Sequence, residues 1–109
     1  MDDLLFRDRA DTSIAELTKA LYAAEESAAF EVEEQNGVLN LVFEDPPGKF
    51  VVTPNSPVRQ IWISALSTSF KLDWSEPRAQ FVFAKTGENL KQLIARLANE
   101  QLGEQVIRF

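Results

Sequence analysis

The chain has 109 residues, contains neither cysteine nor histidine, and sets 17 acids against 11 bases. The two absences exclude disulfides, thiolate nucleophiles, Cys-zinc sites, Cys-ligated iron–sulfur clusters, a Ser-His-Asp triad and any imidazole base or ligand. Without Cys or His, any metal chemistry is left to oxygen ligands, and a net charge of −6 argues against a general nucleic-acid binder, which needs a basic surface.

The first predicted element is a long helix over 4–28. Ala10, Ile14, Leu17, Leu21 and Ala24 recur at the spacing of one buried stripe, with no Gly or Pro before Gly37. Phe30 and Val32 then alternate with Glu31 and Glu33, which reads as a short strand with one acidic face. Asn36-Gly37 is the strongest hairpin signal in the chain, and 38–43 alternates as a second strand. Asp45-Pro46-Pro47-Gly48 is a turn, 50–53 a third strand, and Pro54-Asn55-Ser56-Pro57 a break.

Three further strands follow at 59–64, 70–74 and 80–84. Leu66-Ser67-Thr68-Ser69 and Ser75-Glu76-Pro77-Arg78 are the loops between them. Thr86 is the expected N-cap of a closing helix whose stripe is Leu90, Leu93, Ile94, Leu97 and Ala98, with Gly103 as its terminator. The apolar tail 106–109 is expected to pack back on the body.

Sequential strands joined by short turns form an antiparallel meander, and two helices with one apolar stripe each cover a single sheet face. The expected fold is α+β: a two-layer sandwich, a six-stranded antiparallel sheet with the N- and C-terminal helices on one side, and one domain over 1–109. No apolar run is long enough for a membrane span. The N-terminus is acidic and lacks the apolar core of a signal peptide.

Alternation assigns the uncovered face. Ile61 and Ile63 suit the core, so Gln60, Trp62 and Ser64 face outward; Lys71, Asp73, Asn40 and Val42 follow by the same parity. A large aromatic among hydrogen-bonding groups suits a protein-binding hot spot, with burial under a loop as the alternative. Charge is also uneven. Residues 1–45 hold twelve acids and three bases, net −9, and the remainder is +3. That asymmetry reads either as a face for a cation or basic partner or as a solvated surface.

The segment Pro57-Val58-Arg59-Gln60-Ile61-Trp62-Ile63-Ser64, then Asp73-Trp74, together with Asn36-Gly37-Val38-Leu39 and the Thr86-Gly87-Glu88…Leu90…Leu93 helix start, resembles the frataxin family, the bacterial form in particular. The order and spacing of these pieces match over nearly the whole chain. The resemblance implies a non-enzymatic, iron-binding regulator of iron–sulfur cluster assembly. It would bind ferrous or ferric iron weakly through acids of the first helix and strand, and would bind and modulate a cysteine desulfurase–scaffold complex.

Carried over residue by residue, the resemblance makes Asp8, Asp11, Glu25, Glu26, Glu31, Glu33 and Glu34 the iron-binding candidates. Gln60 and Trp62 carry over as partner-binding candidates, and Lys71, Asp73 and Asn40 join them from the outer face assigned by alternation. Lys71 stands where the family has Arg, and Thr53 where eukaryotic members have Asn; Lys lacks the planar bidentate fork of Arg. Ala15, Lys19, Tyr22 and Ala23 interrupt the acidic row of the helix.

An interaction module of the same pathway with little specific iron binding is one alternative. A ferroxidase or iron-storage protein is another, although dinuclear carboxylate sites use a Glu-x-x-His motif that this chain lacks. The acidic balance and the lack of a long apolar run argue against a nucleic-acid or membrane partner, and the resemblance further implies a monomer or an iron-dependent oligomer. It implies the bacterial cytoplasm, or the mitochondrial matrix for a processed eukaryotic chain.

Overall fold

The computed structural model of the protein describes residues 1–25, 29–105 and 107. Helix α1 (Asp3–Glu25) is followed by strands β1 (Phe30–Gln35), β2 (Val38–Glu44), β3 (Pro47–Asn55), β4 (Gln60–Ala65), β5 (Thr68–Ser75), β6 (Gln80–Phe83) and β7 (Glu88–Asn89), and by α2 (Leu90–Leu102). The strands pair in chain order, every neighbour antiparallel. The expected two-layer α+β architecture is present, with seven strands where six were expected. The seventh is two residues long, too short for any alternation to be read from sequence.

Helical periodicity on α1 and α2 meets strand alternation in one core. Phe6, Ala10, Leu17 and Leu21 of α1, and Leu90, Leu93, Ile94, Leu97 and Ala98 of α2, pack over the inner residues of the sheet. Leu39, Leu41, Phe50, Val52, Ile61, Ile63, Leu72 and Phe81 form that inner surface, each at most 1% exposed. Thr18 interrupts the α1 stripe, but its hydroxyl donates to the Ile14 carbonyl at 2.7 Å, so the buried oxygen is satisfied. The expected end of α1 at residue 28 lies outside the described residues.

Turn chemistry departs from expectation beyond the first hairpin. Asn36 and Gly37 form the expected two-residue hairpin turn with φ of 51° and 78°. Leu66 and Ser67 form a second such turn at φ 53° and 59°, so Thr68 and Ser69 belong to β5 and not to a loop. Neither residue favours positive φ, which is why the sequence carries no signal there. β3 likewise extends at both ends, taking in Pro47, Gly48, Pro54 and Asn55. A 3-10 turn at Ser56–Val58 then provides the break.

The N-cap of α2 is Asn89, not Thr86. Asn89 Oδ1 accepts from the Gln92 backbone N–H at 2.9 Å, and Gln92 Oε1 accepts from the Asn89 N–H at 2.9 Å, a reciprocal capping box. The Thr86 hydroxyl instead donates to Glu88 Oε1 at 2.7 Å. Gly103 ends the helix in the left-handed conformation, as expected, its N–H donating to the Asn99 carbonyl at 2.9 Å.

Ile107 is buried and bonded at both backbone groups by the Asn99 amide, at 2.8 and 3.1 Å, which ties that part of the tail to α2. The other tail residues, Val106, Arg108 and Phe109, lie outside the described residues. Arg96 of α2 holds Glu88 of β7, its Nε and Nη2 donating to the carboxylate in three contacts of 2.9 to 3.2 Å. Those bonds hold the Glu88 carboxyl below its ordinary value, against a smaller opposing effect of burial.

Candidate functional site: the open sheet face

The sheet surface opposite the helices is organised by register. Trp62 lies between Thr53 of β3 and Lys71 of β5, and Gln60 lies between Asn55 and Asp73. The two-residue turn at Leu66-Ser67 makes Ala65 and Thr68 the hydrogen-bonded closing pair. Alternation then makes Trp62/Lys71 and Gln60/Asp73 non-hydrogen-bonded pairs, the kind whose side chains approach most closely.

Four expected partner residues meet there. Lys71 Nζ lies 4.8 Å from the Trp62 ring centroid, a cation–π arrangement. The indole N–H of Trp62 donates to Gln60 Oε1 at 2.8 Å. Gln60 Nε2 donates to Asp73 Oδ1 at 2.9 Å. Trp62 and Gln60 are half-buried, and Lys71 and Asp73 are exposed. Trp62 is therefore on the outer face with one side reaching solvent, and is not a core residue.

Asn40 is different. It shares the face, between Glu33 and Val51 in register, but it is only 8% exposed. It sits on β2 with β1 and β3 paired on either side, so it forms floor rather than the open contact expected of it.

The acids expected to bind iron are dispersed. Asp8 and Asp11 are exposed on α1, Glu31 and Glu33 are exposed on the outer face of β1, and Glu34 lies on the helix side of that strand. Glu34 Oε2 accepts from the Tyr22 hydroxyl at 3.2 Å. Partial burial and then the Glu34 carboxylate push the Tyr22 phenol up from its ordinary value. Thus Tyr22, which interrupts the acidic row, is hydrogen-bonded to one of the remaining acids.

Glu25 is also occupied. The Asn36-Gly37 turn makes Gln35/Val38 the closing pair, which by alternation points the Val32 N–H away from β2. Glu25 Oε2 accepts that N–H at 2.7 Å. Glu26 lies outside the described residues. Among the described residues, no group of three or more acidic side chains stands close enough together to hold a metal ion.

Sequence reasoning missed a second aromatic–cation pair on the helix side. Arg9 of α1 stacks on Trp74 of β5, and the buried Trp74 Nε1 finds no hydrogen-bond partner among the described residues. Only the helix-to-sheet packing reveals this pair, because 65 positions of chain separate its members.

No described helix is long and apolar enough to cross a membrane. Residues 1–104 match the family model of the frataxin-like domain. An iron–sulfur cluster assembly protein CyaY from Azotobacter vinelandii is 32% identical over 76 residues, covering 70% of this chain and 68% of the relative. The protein of the same name from Dechloromonas aromatica is 29% identical over 107 residues, covering 98% of each. The solved structure of frataxin from Psychromonas ingrahamii superposes with a TM-score of 0.73 at 20% identity, over 97% of this chain and 96% of that one, which shows the shared fold. From its order of elements to its match over residues 1–104, the chain belongs to the frataxin-like family.

Proposed function

We propose that this chain is a non-catalytic docking and regulatory protein of iron–sulfur cluster assembly. It binds a cysteine desulfurase–scaffold complex across the open sheet face and modulates its rate. The names of its bacterial relatives support the pathway, and their bacterial sources support the expected cytoplasmic setting. The observation that carries the docking role is the array Asp73–Gln60–Trp62–Lys71. A half-buried aromatic is fixed there by polar neighbours on a surface that no described helix covers. A rigid aromatic anchor with one open side is what a protein interface uses at its centre.

The test is capture on immobilised, purified bacterial cysteine desulfurase, with and without scaffold protein. Wild type should be retained, and Trp62→Ala should be retained much more weakly while its thermal unfolding stays cooperative. Equal retention of the two would reject the docking role.

Iron is read as a weakly held cargo on exposed carboxylates, with Glu31 and Glu33 the best placed because they share one strand face. Such binding uses one or two direct oxygen bonds and is salt-sensitive. Anaerobic ferrous titration at low salt should lose its saturable phase on joint Glu31→Gln and Glu33→Gln substitution. An unaltered isotherm would reject this assignment. The occupation of Glu25 and Glu34 by internal hydrogen bonds favours a second reading, docking with little specific iron binding.

A further inference from the structure

We propose that Asp73 is a positioning residue that fixes the direction of the Gln60 amide and, through it, the orientation of the Trp62 indole. The chemistry of the three groups permits one arrangement. An ionised carboxylate only accepts, an indole N–H only donates, and a primary amide offers an acceptor at one end and donors at the other. Gln60 is therefore the adaptor between them. With Oε1 toward Trp62 and Nε2 toward Asp73, both bonds form, at 2.8 and 2.9 Å. With the amide turned over, its oxygen would face the carboxylate and its NH2 would face the indole N–H, so both contacts would be repulsive.

The register makes the relay short. Asp73 is directly opposite Gln60, Lys71 is directly opposite Trp62, and Gln60 and Trp62 are two residues apart on one face of β4. Asp73 thus sets the indole at one end while the Lys71 ammonium covers the ring. An indole held in one orientation before contact loses less freedom on docking. Asp73 accordingly strengthens docking without having to touch the partner. This consequence rests on the reading of the Trp62 face as the docking surface; the positioning itself does not.

The experiment has two arms. In the first, 15N-labelled protein gives an indole cross-peak for each tryptophan, and Trp74→Phe assigns that of Trp62. Asp73→Leu should move the Trp62 peak upfield and speed its exchange with deuterium. Asp73→Asn keeps an oxygen that accepts from Gln60 and should leave the peak close to wild type. A wild-type peak in Asp73→Leu overturns the proposal.

In the second arm, affinity for purified cysteine desulfurase is measured. Asp73→Leu should weaken it roughly fivefold, the effect of one hydrogen bond, and should weaken it no further in a Trp62→Ala background. Additive losses would overturn the proposal by placing Asp73 in contact with the partner. If the desulfurase ignores Trp62→Ala, the docking reading falls, and the indole peak alone decides the positioning.

Discussion

The Arg9 guanidinium lies 4.3 Å from the Trp74 ring centroid, and the same side chain reaches Glu76 Oε1 at 3.3 Å. One residue of α1 therefore clamps both a strand of the sheet and the turn that follows it. The ring also packs against Phe81, 5.2 Å between centroids and edge-on. Arg9→Ala should cost about 1 kcal/mol, most of it from the cation–π contact, since the Glu76 carboxylate is largely solvated. Urea unfolding is the check, and an unmoved midpoint would refute it.

Glu88 supplies a pH dependence. Its carboxyl is held below the ordinary value of 4.5 chiefly by its hydrogen bonds from Arg96. A carboxyl depressed in the folded state stabilises the fold fully above its unfolded value and loses that contribution as pH falls through the folded one. Arg96 stays protonated throughout. Glu88→Gln should therefore lower stability by about 1 kcal/mol at pH 7. The gap to wild type should close in acid, below the ordinary carboxyl range. A gap that stays constant from pH 7 into acid would contradict the assignment.

The location of the α2 cap is open to a direct comparison. Asn89→Ala removes the acceptor for the Gln92 N–H and should cost about 1 kcal/mol. Thr86→Ala removes hydrogen bonds with Glu88 alone and should cost less. Thermal unfolding of the two variants ranks them; the reverse order would place the cap at Thr86.

Lys71→Met keeps the alkyl stem beside Trp62 and removes the charge. Because the ammonium is exposed, folding stability should change by about 0.5 kcal/mol or less. If the desulfurase docks here, its binding should weaken and become less sensitive to salt. Unchanged salt dependence would take Lys71 out of the interface.

Most of the architecture was legible because two periodicities dominate the chain. The α1 and α2 stripes and the alternation in β2, β4 and β5 specify the faces, and the outward position of Trp62 follows from Ile61 and Ile63 pointing in. What escaped depends on groups far apart in sequence or on conformations without a residue signature. The Leu66-Ser67 turn uses residues with no preference for positive φ. Thr86 is a reasonable cap by composition, but the short β7 carries the chain past it to Asn89. The burial of Asn40 depends on its cross-strand neighbours rather than on its own polarity. The candidate site divided along the same line. Gln60, Trp62, Lys71 and Asp73 are adjacent through strand register, whereas the acids lie on separate surfaces that a one-dimensional count of charge had merged.

The bond from Val32 N–H to Glu25 bears on how the molecule meets its own copies. β1 is the long outer strand of the sheet, and the outward backbone groups of such a strand form a template on which another chain can add itself. Glu25 places a charged oxygen where an incoming strand would have to place its carbonyl. A newcomer would have to displace a carboxylate from the middle of that edge. The last acid of α1 thereby helps to keep the sheet finite, ending its growth at the strand that the helix itself leads into.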